Sequence, residues 1–363
     1  MKRNKRGGAA LVAILIMLIL VAAGTAVMIV TGKGRIREAE DIPAVAHMDS
    51  SAADSGQDVS GTGTDVSASE QPVESEPEPE EVYPVPQKSA DYKDIDYKGL
   101  QMSAKHAMLL DLDTNEIVAG SKYDRKVYPA SLTKVMTLLV AVENVKDPKA
   151  KYKFTEKDLA PLIEENASMA GFSIGESVTF SDLLYASVLR SGADGTLGLA
   201  NLVAGSEKEF VKLMNQKAQA MGLENTRFTN ASGLHDDNHY STCLDMERIL
   251  ACAMQNETCK KVLTTKEYTT TKTKKFHPDG ITLYSIVEER LAGWFVDLDA
   301  DNNADGKIIG GKTGFTDEAG FCMEYIYKYE DKIYLAITCF SATQESSTED
   351  CIKVLENYVP KKK

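Results

Sequence analysis

The chain has 363 residues, of which 43% are hydrophobic and 26% charged. That apolar share is ample for a packed core and excludes a wholly disordered chain. A net charge of −13, from 41 basic and 54 acidic residues, excludes nucleic-acid binding as the main role. Six cysteines in this length do not make a disulfide scaffold.

Charge divides the chain into three regions. Residues 1–37 carry seven bases and no acid, whereas residues 38–90 carry thirteen acids and one base, Lys88. From Gly7 to Val30 there are 24 residues without a charge. A bilayer core needs about 20 helical residues, and the apolar part of a secretory signal is usually about 7–15. The stretch is therefore expected to be a retained anchor over residues 7–32, with residues 1–6 in the cytoplasm because four bases precede it and three follow. A cleaved signal peptide is the competing reading. The folded part would then stand outside a cell membrane crossed once. Residues 33–94, rich in Ser, Glu, Asp and Pro, bury too little to offset their ordering entropy and read as an acidic disordered tether. About 50 flexible residues would span on the order of 40 Å.

A folded domain is expected over residues 95–363. The run from Lys105 to Leu110, the turn residues Asp111–Asn115 and the strand-like Glu116–Ala119 predict a hairpin. Helical periodicity dominates from Leu132 to about Val262, as in Leu183/Leu184/Ser187/Val188 and Phe210/Leu213/Met214/Lys217. A second hairpin, Phe321–Tyr327 and Ile333–Phe340, precedes a closing amphipathic helix, Ser347–Tyr358. Strands at both ends with helices between predict an α/β (α+β) domain. Its antiparallel sheet would be flanked by helices, with a helical lobe.

Three places carry chemistry. In Tyr128-Pro-Ala-Ser131-Leu-Thr-Lys134, Pro129 precedes the helical run Leu132–Val145, which puts Ser131 at a helix start. The dipole there favours negative charge on the serine oxygen. A spacing of three sets Lys134 on the same face, and a desolvated lysine can act as a base. Taken alone, Ser-x-x-Lys is as well an ordinary cap followed by a surface lysine. Ser191, in Leu189-Arg-Ser-Gly-Ala193-Asp194, lies between two helical patterns and could relay a proton or cap a helix. In Ile309-Gly-Gly-Lys312-Thr313-Gly314-Phe315-Thr316, a cation and a hydroxyl suit a substrate carboxylate, and the glycines permit close backbone approach.

In the order Ser-x-x-Lys, Ser-Gly-x, Lys-Thr-Gly, the three together resemble the motif set of penicillin-binding proteins and class A β-lactamases. Tyr128–Thr137, Gly175-Glu176, Met221–Phe228, His239–Thr242 and Gly311–Thr316 are similar to the low-molecular-mass D-alanyl-D-alanine carboxypeptidases over roughly residues 95–358. The resemblance implies a β-lactamase/DD-peptidase-like fold and a serine carboxypeptidase that needs no cofactor and no metal. It implies an acyl-enzyme on Ser131, Lys134 as base and Ser191 as proton relay, with Lys312, Thr313, Gly314 and Phe315 binding substrate. The backbone N–H groups of Ser131 and Phe315 would form the oxyanion hole. The implied partners are a peptidoglycan stem peptide ending in D-Ala-D-Ala, β-lactam antibiotics as covalent inhibitors, and the membrane through the N-terminal helix.

The chain departs from that pattern at Ala193, where the family has Asn in Ser-x-Asn, and across Gly280–Asp305. A weakly active or non-catalytic penicillin- or peptidoglycan-binding protein is the alternative that Ala193 raises. A β-lactamase is the other, but no Asn here has a Glu four residues before it, as a class A deacylating site requires. Asp297–Gly306 looks like a calcium loop with acids at positions 1, 3 and 5; Asn302 at the sixth position and Ile308 at the twelfth make it an acidic surface loop instead. His235 and His239 fall in a loop, which argues against a helical zinc pair. Cys252 and Cys259 read as small core hydrophobes. Cys322 and Cys339 would face each other across a turn at Glu330-Asp331, as buried thiols or as a disulfide.

Overall fold

The structure is a computed structural model that describes residues 84–361. The expected anchor and most of the tether lie outside those residues. Among the described residues no helix is long and apolar enough to cross a membrane.

Three strands open the domain: β1 (Gln87–Asp94), β2 (His106–Asp111) and β3 (Glu116–Ser121). The predicted first hairpin is β2–β3. Asp111 Oδ1 accepts the amide N–H groups of Asp113 at 3.0 Å and Thr114 at 3.2 Å, and Asn115 takes a left-handed φ of 55° to close the turn. β1 corrects the expected boundary. Composition predicts a disordered tether to residue 94, yet Gln87–Asp94 pairs in parallel with β3, Gln87 opposite Glu116 and Asp94 opposite Gly120. This strand has little apolar content and buries little. Backbone pairing holds it, with the Tyr92 hydroxyl donating to Gly120 O at 2.8 Å, so no hydrophobic pattern marks it.

The helical lobe follows. A 3-10 turn, Ala130–Thr133, leads into α1 (Lys134–Asn144), where the periodicity predicts one continuous helix from Leu132. β4 (Lys151–Lys153), α2 (Glu156–Glu164) and β5 (Ser177–Thr179) come next, β4 and β5 forming a small antiparallel pair. Then come α3 (Phe180–Leu189), α4 (Ala193–Ala204), α5 (Glu207–Ala220), α6 (Cys243–Gln255) and α7 (Glu257–Leu263). Side-chain caps fix several starts: Thr179 Oγ1 accepts from Asp182 N at 3.1 Å, and Thr242 Oγ1 from Asp245 N at 3.0 Å. Every residue of α1 from Lys134 to Ala141 is buried, the signature of a helix enclosed on all sides.

A second small pair, β6 (Glu267–Thr269) and β7 (Thr282–Tyr284), and the short α8 (Ile286–Arg290) lead to β8 (Lys307–Thr316), β9 (Gly320–Tyr329), β10 (Lys332–Ser341) and the closing α9 (Gln344–Tyr358). The late hairpin turns at Glu330-Asp331, with Lys332 opposite Tyr329. The six-stranded sheet runs β1-β3-β2-β10-β9-β8, antiparallel except for β1 on β3. Alternate residues serve opposite faces. Met108, Leu110, Ile326, Leu335 and Ile337 pack under the lobe. Leu109, Tyr325, Tyr327 and Ala336 pack with Cys351, Ile352, Val354 and Leu355 of α9. Both faces are therefore covered, which is why β2 reads as an unbroken apolar run. None of the six cysteines, all among the described residues, forms a disulfide; Cys322 and Cys339 are fully buried beside a bulge between Thr338 and Ser341. Placing β8 at the sheet edge leaves its outer rim facing the 3-10 turn that carries Ser131.

Candidate active site

Ser131 sits in the 3-10 turn, one step before α1, and is half-buried. The turn is tightly held. Ala130 has a left-handed φ of 48°, and a Cβ on Gly233 (φ 81°) would lie 1.8 Å from Ala130 O. Only glycine permits that approach. The segment carrying Gly233 is in turn organised by Asn230, whose Oδ1 accepts from Gly233 N at 2.7 Å and Ser232 N at 3.2 Å. Thr137 Oγ1 donates to Ala231 O at 2.6 Å and ties the segment to α1.

Lys134, the first residue of α1, is 2% exposed, not the surface lysine of a simple cap. Its Nζ lies 2.8 Å from Ser131 Oγ and donates to Ser232 O at 2.5 Å. Burial lowers its ammonium from 10.5 to about 7, while the charge of Asp194 pulls it upward. At neutral pH a large share of Lys134 is thus an unprotonated amine within reach of a serine hydroxyl.

Ser191 lies between α3 and α4 with a left-handed φ of 53°. It does not cap α4, whose N-cap is Gly192. Its Oγ instead accepts from Lys312 Nζ at 2.9 Å, and Lys312 Nζ also donates to Thr313 O at 2.7 Å. Lys312 and Thr313 are buried in β8. A Cβ on Gly314 would meet Pro129 O at 3.0 Å and Ser131 N at 3.2 Å, so the expected close approach of backbones occurs here, between β8 and the Ser131 turn. Phe315 is half-exposed and stacks on Phe321 with ring centroids 4.3 Å apart. Lys134–Ser131 and Lys312–Ser191 are therefore two lysine–serine pairs, and the charge of Lys134 helps to push the Lys312 ammonium down.

A family model described as D-alanyl-D-alanine carboxypeptidase matches residues 92–332. The chain belongs to this family. It is 32% identical over 263 residues to the D-alanyl-D-alanine carboxypeptidase DacF of Bacillus subtilis, covering 71% of this chain and 62% of that protein. To DacA of Escherichia coli it is 31% identical over 231 residues, covering 61% and 52%. The chain thus spans about half to three fifths of the length of these curated relatives. Among solved structures, the Streptomyces K15 DD-transpeptidase superposes with a TM-score of 0.62 at 26% identity, over 71% of this chain and 97% of that one. Penicillin binding protein 5 from Haemophilus influenzae shares the fold at a TM-score of 0.59 and 24% identity.

Where the family has the amide of its second motif, Ala193 is buried at the start of α4, its N–H donating to Ser168 O at 2.7 Å. The neighbouring Asp194 is fully buried and accepts from Ala170 N at 2.9 Å, Gly171 N at 3.0 Å and Gly195 N at 2.8 Å. It pins the 168–172 loop beside the site.

Reading the sequence misses the loop-organising role of Asp194, the Asn230–Gly233 clamp and the part played by His239. The last is 2% exposed, with Nε2 2.8 Å from Thr133 Oγ1 and Nδ1 accepting from Thr229 N at 3.2 Å. Nδ1 is the acceptor, so Nε2 carries the proton and donates to Thr133 in the Ser131 turn. Burial lowers its pKa to about 4, so it stays neutral. His235 points elsewhere, 3.7 Å from Glu318 and 3.4 Å from Asp237, so the two histidines do not converge. In the acidic loop, Asp297, Asp299 and Asp305 bring carboxylate oxygens within 4.8 Å of one another. Asp297 and Asp305 accept the loop's own amides, from Ala300 N at 2.7 Å and Leu298 N at 2.7 Å.

Proposed function

We propose that this protein is a serine D-alanyl-D-alanine carboxypeptidase that removes the terminal D-Ala of peptidoglycan stem peptides through an acyl-enzyme on Ser131. The observation that carries this reading is the buried Lys134 amine 2.8 Å from Ser131 Oγ. The amine takes the hydroxyl proton as Oγ attacks the carbonyl of the penultimate D-Ala. The N–H groups of Ser131 and Phe315 stabilise the oxyanion. Ser191 passes a proton to the departing D-Ala nitrogen, and Lys312 and Thr313 hold the terminal carboxylate. Water then cleaves the ester with the proton path reversed. As an edge strand, β8 offers free backbone groups along which an extended peptide can lie. A β-lactam would acylate the same oxygen. Intact-mass measurement of the protein incubated with a penicillin tests the reading: an adduct on Ser131 is expected, and none would reject it.

Residues 7–32 are proposed to anchor the chain in the cell membrane with the domain on the outer side, at the cell wall. The 24-residue uncharged run supports this. The full chain should fractionate with membranes and keep its N-terminus; a mature N-terminus beyond Val30 would establish a cleaved signal.

Ala193→Asn should speed acylation by penicillin, by anything up to the ~10²-fold that one well-placed donor supplies. The cost is a larger side chain at a 3%-exposed position. A slower rate at unchanged melting temperature would show that the site works as it stands, with Asp194 filling the role.

A further inference from the structure

The core behind the site holds two carboxylates that the mechanism does not use. Glu324 of β9 is in cross-strand register with Lys312 of β8. The two side chains therefore leave the sheet on one face, and cross-strand neighbours on a shared face are in reach of each other. It is the face under the lobe, where Cys322 and Ile326 pack two positions to either side of Glu324. Glu247 comes down from α6, whose Met246, Ile249 and Leu250 belong to that same core. Both glutamates are fully buried, and all four oxygens lack a hydrogen-bond partner. A core tolerates such groups only when they are neutral or face an opposite charge.

The surroundings separate the two roles. Burial, and for Glu247 the nearby Glu324, push both carboxyls well above the ordinary carboxylate range; Lys312 pulls Glu324 back down. One negative charge on this pair thus belongs on Glu324, with Glu247 the protonated member. Around Lys312 stand Lys134 from α1, Ser191 from the α3–α4 connection, Arg290 from α8 and Glu324 from β9. Burial and the two cations push the Lys312 ammonium down, and Glu324 opposes them. Its direct partners, Ser191 Oγ and Thr313 O, are neutral acceptors.

We propose that Glu324 is a positioning residue which, from behind β8, supplies the counter-charge that keeps Lys312 an ammonium and so sets how tightly the site holds a ligand's carboxylate. The inference rests on the reading of Ser131 as an acylated nucleophile.

The test compares acylation by benzylpenicillin, which has a free carboxylate, with acylation by its methyl ester, which has none. Glu324→Gln keeps the shape and removes the charge. The free-acid rate should fall about tenfold at pH 8.5 and less at pH 6.5, with the ester rate unchanged; tenfold corresponds to one pKa unit at Lys312. Glu247→Gln removes the competing carboxyl and should keep or raise the acid-to-ester ratio. A purely structural role would slow both ligands alike, and that result overturns the proposal, as does a fall in the ratio for Glu247→Gln. Glu324→Val, an apolar side chain suited to this core, should lose the same ratio and serves if the glutamine variant folds poorly; an unchanged ratio overturns the proposal. If wild type forms no adduct with either ligand, the nucleophile assignment fails and the inference with it.

Discussion

Ser131→Ala is expected to leave no covalent penicillin adduct and to lower D-Ala release by roughly 10⁴–10⁶-fold, the scale on which removal of a nucleophile acts in a cooperating serine site. The geometry makes the loss nearly complete. Among the described residues, the serine hydroxyl hydrogen-bonded to the buried Lys134 amine is that of Ser131, at 2.8 Å; the Ser191 hydroxyl is held by Lys312 instead. The fold should be indifferent to the change. Ser131 is half-buried, and its side chain caps no helix. The turn around it is fixed by Gly233, Gly314 and the His239–Thr133 bond, none of which involves Oγ. Melting should therefore move by no more than about 0.5 kcal/mol, as for other substitutions outside the packed core. Intact mass after penicillin treatment, followed by peptide mapping, reads the adduct, and thermal unfolding of the variant beside wild type reads the fold. An adduct that persisted on Ser191 would move the nucleophile to the second motif.

The elements that bury an apolar face were legible in the sequence. Both hairpins, the closing helix and the helical middle follow from periods of two and of three to four, because burial imposes those periods. Ser131, Lys134, Ser191 and Lys312 were legible as a spaced set, and the structure gathers them into two lysine–serine pairs. What escaped was held by other forces. β1 is joined by backbone bonds along an exposed edge, so its composition matches the tether before it. The break of the nucleophile helix into a 3-10 turn follows from crowding by Gly233 and Gly314, residues more than ninety positions away in the chain. Asp194 reads as one more helix-start acid, yet it organises a loop that precedes it by more than twenty residues. Glu247 and Glu324 lie at positions where the helix and strand patterns call for apolar residues. A polar residue on an apolar face is visible in sequence, but which buried cation it faces is decided only by strand register.

Lys134→Met should slow catalysis sharply while making the domain more stable in acid. In the folded chain the Lys134 ammonium is lowered from 10.5 to about 7, chiefly by burial. Between those two pH values the unfolded chain binds more protons than the folded one, so stability rises with pH across that window. Below about 7 the whole penalty for charging a buried amine is present. Methionine has similar length and no charge, so it removes a penalty on the order of a few kcal/mol at pH 6. Against this, Ser232 O loses its donor, which costs about 1–3 kcal/mol. The first effect is the larger at low pH and disappears toward 10.5, where only the second remains. Denaturant unfolding at pH 6 and pH 10 should therefore show the variant ahead of wild type in acid and behind it in base. Acylation should fall by roughly 10²–10⁴, the usual contribution of a positioned base. For wild type it should rise with pH through a midpoint near 7, the same titration seen through rate. A variant less stable by the same amount at both pH values would mean that Lys134 stays charged in the folded chain. The base would then have to be sought elsewhere.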